Sequence, residues 1–315
     1  MIKERFDAEI WPEYASPPKK TIIEKAAKAD ALVTLLSDKI DAEVFEAAPS
    51  LKIISQLAVG FDNIDLKEAT RRGIYVTNTP GVLTETTADF AWALLMATAR
   101  RVVEADTYVR TGKWKVGWHP MMFQGRDVYG ATLGIVGLGR IGSSIAKRAK
   151  GFDMRVLYHD VVRRQDLEKE LGIEYTEVED LLRKADFVTL NVPLLKETYH
   201  LMDEKKLKLM KKTAILINNA RGPVIDEKAL YKALKEGWIA AAGLDVFEQE
   251  PTPSNNPLLT LDNVVVAPHI SSASYETRSK MAEMVAENLT AFFEGKMPPN
   301  LVNQEVTKVK KPGWK

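Results

Sequence analysis

The sequence predicts an α/β protein of two unequal domains, each a parallel sheet flanked by helices. Three observations predict it. From about Thr132 onward, short apolar runs alternate with charged stretches of helix length, the rhythm of β-α-β units. The runs LGIVG, DFVTLNV, AILINNA and VVVAPH are apolar at nearly every position, as strands buried on both faces are. The first 80 residues repeat the rhythm in miniature, with DALVTLL, KIISQLA and GIYVTN strand-like and TIIEKAAKA and AEVFEAA as short helices between them.

In the larger domain the expected strands are 133–137, 154–160, 186–192, 214–220, 241–247 and 264–269. Helices are expected at 141–151, 177–184, 204–210 and 227–236. Residues 85–110 read as one long helix ringed by Phe90, Trp92, Leu94, Leu95 and Met96, and a helix apolar on all sides is a buried one. Its expected place is between domains or at a subunit interface. A last helix near 275–294 returns to the small domain. The expected division is therefore 81–270 for the larger domain, inserted into a smaller one made of 1–80 and 271–315.

Composition excludes several classes of function. In 315 residues, 44 Lys and Arg stand against 43 Asp and Glu, a net charge of +1 with no footprint for nucleic acid or a polybasic membrane anchor. Cys is absent, so disulfides, thiolate nucleophiles and cysteine-held metals are out. The start, MIKERFDAEIW, has no apolar signal-peptide core, and the charge-free stretch 90–99 falls short of the ~20 residues that cross a bilayer. A soluble, cytoplasmic protein is expected. No two histidines lie at metal-ligand spacing, so no metal is expected. The basic run 206–212 and the tail KVKKPGWK read as solvated surface.

GLGRIG (Gly137, Leu138, Gly139, Arg140, Ile141, Gly142) stands directly after a strand and before a helix. That context separates a dinucleotide loop from an ordinary glycine turn. The first glycine permits the tight turn, and the second lets a pyrophosphate approach unpaired N–H groups at the helix start. Asp160, at about the twenty-residue spacing, ends the next strand, where a carboxylate accepts from ribose hydroxyls and repels a 2′-phosphate. The larger domain is thus expected to be a doubly wound Rossmann domain for NAD(H). NADP(H) is the weaker alternative, because Arg163 and Arg164 follow closely.

A nicotinamide reaction also moves a proton, for which histidine is the usual partner. Only four histidines exist. His159 stands beside Asp160 at the adenosine end, His200 lies in a polar turn and reads as surface, and His119 sits in the aromatic loop KWKVGWHPMM. His269 follows VVVAP at a strand's carboxyl end, where open α/β sheets bind ligands. Arg221 and Glu250 follow the two preceding strands. Taken singly, either is an ordinary loop charge; their shared location with His269 lifts them. A strand-end Arg suits bidentate recognition of a carboxylate.

The wording and order of GLGRIG, NNARGPVID, GLDVFEQEP and APHI resemble the D-isomer-specific 2-hydroxyacid dehydrogenases. With NTPGVLTETTAD and GWHPMM, the resemblance is strongest to archaeal glyoxylate-reducing members and covers essentially the whole chain. It implies a flavodoxin-like small domain and a homodimer built through the cofactor domain and loop 114–123. It also implies reduction of a small 2-oxo acid, glyoxylate first and hydroxypyruvate second. Arg221, Glu250 and His269 then match the catalytic Arg, Glu and His: Arg221 pairs with the substrate carboxylate, and His269, supported by Glu250, protonates the carbonyl oxygen. Val59 and Gly60 match amides that hold the carboxylate, and Asp245 matches an Asp at the nicotinamide carboxamide. Thr87, Asn219 and Ala220 fall at cofactor-contacting positions. Asn219 and Ala220 stand where the family often reads TSRG. Other readings are a dehydrogenase of another D-2-hydroxy acid, such as 3-phosphoglycerate or D-lactate, and a non-catalytic NAD-sensing scaffold. Relatives usually begin with a further strand of about ten residues, central in the flavodoxin-like order, so the small sheet is expected to have a gap.

Overall fold

A computed structural model describes residues 2–314, which form two units. One unit runs to Leu83 and resumes at Ala273; the other is Thr84–Ser272. The sequence reading placed the exchanges near 80 and 270.

The first unit opens with α1 (Ile2–Arg5), an irregular stretch, and α2 (Lys19–Ala26). Then β1 (Ala31–Thr34), α3 (Ala42–Ala47), β2 (Ile53–Gln56), α4 (Leu66–Arg71) and β3 (Tyr75–Thr77) alternate. The strands pair parallel in the order β1-β2-β3, with Ile53 between Ala31 and Tyr75. Every residue of β2 is buried, as the middle strand of a covered sheet must be. Val44, Phe45, Leu51, Ile54 and Val76 form the core on one side. The expected central gap is not found. The three strands are contiguous, the EIW segment is irregular, and β1 is the sheet's edge, with Val33 47% and Leu35 45% exposed. The physical reason is that β1, β2 and β3 pair directly, rung for rung, which leaves no open position between them.

The second unit begins with α5 (Thr84–Ala99) and α6 (Val102–Arg110), where one long helix was expected. The break falls at Arg101, which has φ 53°, in the left-handed region. The Ala99 carbonyl instead accepts from the Arg126 amide at 2.8 Å. Only α5 has the buried character read from the sequence: Ala91, Trp92, Leu94 and Leu95 are buried, whereas α6 has no buried residue. Within this unit α5 lies against the sheet described next and the helix that follows its first strand.

That sheet comprises β4 (Thr132–Val136), β5 (Arg155–His159), β6 (Glu174–Tyr175), β7 (Phe187–Leu190), β8 (Ile215–Asn218), β9 (Ala241–Leu244) and β10 (Val264–Val266). The helices between them are α7 (Arg140–Ala149), α8 (Gln165–Leu171), α9 (Val178–Lys184), α10 (Glu204–Leu207) and α11 (Glu227–Lys235). All neighbouring strands are parallel, in the order β10-β9-β8-β7-β4-β5-β6. The chain winds outward both ways from β4, so a crevice opens at its carboxyl end, where doubly wound sheets bind ligands. Six strands were expected; β6 escaped because its two residues are too few to show a period.

After β10 the chain returns to the first unit as α12 (Tyr275–Phe293), capped by Ser274, whose hydroxyl accepts from the Thr277 amide. Val285, Leu289 and Phe292 of α12 join Ile53 and Tyr75 on the second face of the small sheet. The lysines of the basic tail, Lys308, Lys310 and Lys311, are exposed as expected, but its backbone and Trp314 are also fastened to the small sheet. The Tyr75 hydroxyl donates to the Lys310 carbonyl at 2.8 Å, and the Trp314 indole donates to the Gly73 carbonyl at 3.3 Å. Lys310 also stands 4.3 Å from the Trp314 ring centre, a cation–π contact that composition does not reveal.

Candidate active site

The glycine loop leaves β4 and enters α7 at its first residue, Arg140. Gly137 has φ +95° and donates its amide to the His159 carbonyl at 2.8 Å, which fastens the loop to β5. A Cβ on Gly142 would lie 2.1 Å from the Gly137 carbonyl oxygen, so only glycine lets the helix begin this close to the turn. Gly139 differs. It is exposed, and a Cβ there would meet nothing within 4 Å. The first main-chain bond of α7 runs from Ser143 to Gly139, so the helix's opening amides face the space in front of Gly139. Asp160 lies at the same place: its carboxylate accepts from the Leu138 amide at 2.6 Å and the Val162 amide at 3.1 Å.

These residues fit a dinucleotide, with unpaired donors and an open glycine for the pyrophosphate and a carboxylate for the ribose. Asn219 adds an observation of another kind. It is buried, its amide nitrogen donates to the Thr87 carbonyl at 3.4 Å, and its side-chain oxygen has no partner. Asn191, the first residue after β7, has a second such orphaned oxygen and stands against Gly137. The sequence reading passed over Asn191; its signal was a polar side chain at a strand's carboxyl end. Replacing Gly139 with alanine is expected to leave the melting temperature unchanged, because the site is open. The same change should weaken NADH binding about tenfold or more in a fluorescence titration. Equal affinity would mean the open space is not where the pyrophosphate goes.

Arg221, Glu250 and His269 follow β8, β9 and β10, three adjacent strands. Asn218, the last residue of β8, holds the Arg221 turn: its amide nitrogen donates to the Arg221 carbonyl and its oxygen accepts from the Ala220 amide. The Arg221 guanidinium donates to the Ala220 carbonyl at 2.8 Å. His269 has φ 55°, and its amide donates to the Asp245 carbonyl at 2.8 Å. Its Nδ1 lies 2.6 Å from Glu250 Oε2, while Glu250 Oε1 accepts from the Phe247 amide at 3.0 Å. An ionised carboxylate only accepts, so Nδ1 carries the proton in that contact and Nε2 is left to exchange one with a ligand.

Burial pushes the Glu250 carboxyl up, but the His269 hydrogen bond and charge, the Phe247 amide and the Arg221 charge outweigh it. The group ends below the ordinary value of 4.5. A lowered carboxyl stabilises the fold at any pH above that ordinary value, and the contribution disappears as pH falls through the lowered one. Thermal melts of the protein and of Glu250→Gln should therefore differ more at pH 7 than at pH 3. A difference that stays constant would show that Glu250 is not the ionised partner.

Asp245 is fully buried, and its oxygens accept from the Ile270 amide at 2.8 Å, the Ser271 amide at 2.9 Å and the Ser271 hydroxyl. Its contacts thus hold the turn that presents His269. Ser271, unmarked in the sequence, is part of that support. His119 is exposed, and its Nδ1 accepts from the Met121 amide. His159 Nδ1 lies 3.1 Å from the Thr176 carbonyl.

His200 lies partly at the surface, as expected, but is also paired. It is half-buried at φ 49°, with Nε2 2.9 Å from Glu248 Oε1. Glu248 Oε1 also accepts from the Glu227 amide, so the contact ties the loop carrying Asp245 and Glu250 to the start of α11. His200, Asp226 and Glu248 form the kind of three-residue group that can hold a metal ion, assembled from three distant segments that residue spacing does not reveal.

In the first unit, Val59 and Gly60 lie in the loop after β2. Their carbonyls accept from Asn78 at 2.8 Å and Gln56 at 3.3 Å, which orients the loop. Their amides have no hydrogen-bond partner among the described residues.

The family described as D-isomer specific 2-hydroxyacid dehydrogenase, NAD binding domain, matches residues 92–271. A glyoxylate reductase of Korarchaeum cryptofilum (strain OPF8) is 69% identical over 313 residues, covering 99% of this chain and 94% of the relative. Among solved structures, an NADPH-dependent glyoxylate/hydroxypyruvate reductase of Sinorhizobium meliloti, in complex with NADP and malonate, is 36% identical with a TM-score of 0.82. That likeness covers 90% of this chain and 86% of the other. A D-lactate dehydrogenase of Aquifex aeolicus, complexed with NAD and lactic acid, is 32% identical with a TM-score of 0.80, covering 93% and 89%. Fold, site and sequence together define a nicotinamide-dependent dehydrogenase. The chain belongs to the D-isomer specific 2-hydroxyacid dehydrogenases.

Proposed function

We propose that the protein reduces a small 2-oxo acid with NADH, glyoxylate to glycolate first and hydroxypyruvate second. The observation that carries this reading is the His269–Glu250 pair at 2.6 Å, with Arg221 presented by the adjacent strand end. The kinship with glyoxylate reductases supports the choice of substrate. The Arg221 guanidinium pairs with the substrate carboxylate and draws charge from the neighbouring carbonyl. The Val59 and Gly60 amides are further donors to a carboxylate. His269, protonated, gives the Nε2 proton to the carbonyl oxygen as that oxygen gains negative charge, and Glu250 steadies the imidazolium. A dinucleotide held at its pyrophosphate by the glycine loop would supply, from its reduced nicotinamide, the hydride that the carbonyl carbon receives. Thr87, Asn219, Ala220 and Asp245 belong to its environment in this reading. Asp160 favours NADH, because its carboxylate repels a 2′-phosphate.

A spectrophotometric assay of NADH oxidation with glyoxylate, hydroxypyruvate, pyruvate and larger 2-oxo acids tests the reading. Turnover highest with glyoxylate supports it; no turnover by folded, NADH-binding protein sinks it. That second result would instead favour a dinucleotide-sensing scaffold.

The working state in this reading is a homodimer in the cytoplasm. No described helix is long and apolar enough to cross a membrane. The dimer surface would be α6 and the aromatic loop, where Val102, Val109, Trp114, Trp118 and Met121 are all more than half exposed. So much apolar area on one face marks an association surface. Light scattering should give twice the chain mass of 35.2 kDa. A monomer mass would refute the dimer.

A further inference from the structure

We infer that Asp166 and Glu168, in α8, set the choice between the two dinucleotides by withholding Arg163 and Arg164 from a 2′-phosphate. The inference rests on the reading above that Asp160 meets the adenosine ribose.

The two dinucleotides differ only by a phosphate on that ribose, and an arginine fork beside it is the usual recognition device. Arg163 and Arg164 stand in the right place, in the loop that carries Asp160 from β5 to α8. Both forks are already occupied. Arg163 donates through Nε and Nη2 to the two Glu168 oxygens at 2.8 and 2.9 Å. Arg164 donates in the same way to Asp166 at 3.0 and 2.7 Å.

The arrangement is braced beyond the two ion pairs. The buried Tyr158 hydroxyl donates to Glu168 at 2.7 Å and accepts from the Arg164 amide at 2.8 Å. The Arg163 guanidinium also lies 5.6 Å from the Tyr175 ring centre. Glu168 is thus anchored from the sheet side and draws the arginine toward the helix. The Glu168 and Asp166 carboxyls, each held by its arginine hydrogen bond, are pulled down to about 2, so both are charged at any working pH. With Asp160, three carboxylates then face two guanidiniums, and an incoming phosphate dianion meets net negative charge. Neutralising the two α8 carboxylates reverses that sign and frees both forks while keeping the side chains' shape.

The test is a fluorescence titration of full-length protein with NADH and with NADPH. The variants are Asp166→Asn, Glu168→Gln, the double variant, and the double variant that also has Arg163→Ala and Arg164→Ala. Because exposed ion pairs hold their partners weakly, the expected gain in NADPH affinity is about threefold for each single change and about tenfold for both. NADH affinity should stay within about twofold. Removing the arginines should return NADPH affinity to the parent value. The inference is overturned if the double variant binds NADPH no better, or if its gain survives loss of the arginines, since bare charge removal would then explain it. Parent protein that binds both dinucleotides equally would instead overturn the NADH preference and leave these carboxylates nothing to set.

Discussion

Exchanging His269 for asparagine is expected to lower turnover of glyoxylate by about 10²-fold or more, with NADH affinity unchanged. Asparagine suits the position structurally. It tolerates the left-handed backbone that His269 adopts at φ 55°, so the loop should keep its course. What it removes is the proton at Nε2 and the charge that Glu250 supports across 2.6 Å. The loss should fall on kcat rather than KM, because an interaction made chiefly in the transition state is missing. If the variant keeps its rate, the proton comes from elsewhere, and His119 is the next histidine to replace.

A comparable loss, joined to a loss of stability, is expected of Asp245→Ala. The buried carboxylate accepts from two backbone amides and one hydroxyl, and alanine offers those donors nothing. Orphaning the buried Ser271 N–H at about 1–3 kcal/mol, and the half-buried Ile270 N–H at less, puts the expected cost near 2–4 kcal/mol, visible as a lower melting temperature. The Ile270–Ser271 turn would relax and with it the strained backbone of His269, so turnover should fall about as far as in His269→Asn. Ser271→Ala removes only the hydroxyl and should cost about 1 kcal/mol. If Asp245→Ala melts like the parent, the turn is held by something else.

Local patterns carried much of this molecule. The strand–GLGRIG–helix context marked the cofactor loop, and the apolar runs marked where β8, β9 and β10 end, which singled out Arg221, Glu250 and His269. What stayed hidden depends on partners far along the chain. No Gly or Pro announces the break at Arg101; it follows from the Ala99 carbonyl turning to Arg126. The grip of Asp245 on Ser271 spans 26 positions, and that of Trp314 on Gly73 spans 241. The pairing of His200 with Glu248 was hidden because 48 positions separate them. Periodicity reports which way a side chain faces, but not what it meets there.

The strand order has a consequence for how this enzyme tolerates change. Three functional groups stand like teeth of a comb at the ends of β8, β9 and β10, and the comb's pitch is the spacing of about 4.8 Å between hydrogen-bonded strands. Insertions in the connecting helices on the far side leave that pitch untouched. A one-residue deletion inside any of the three strands turns its later side chains to the opposite face and removes a tooth. Lineages of this sheet are therefore free to vary in length in those helices, but not across the eleven residues of the three strands or the short loops that carry the groups.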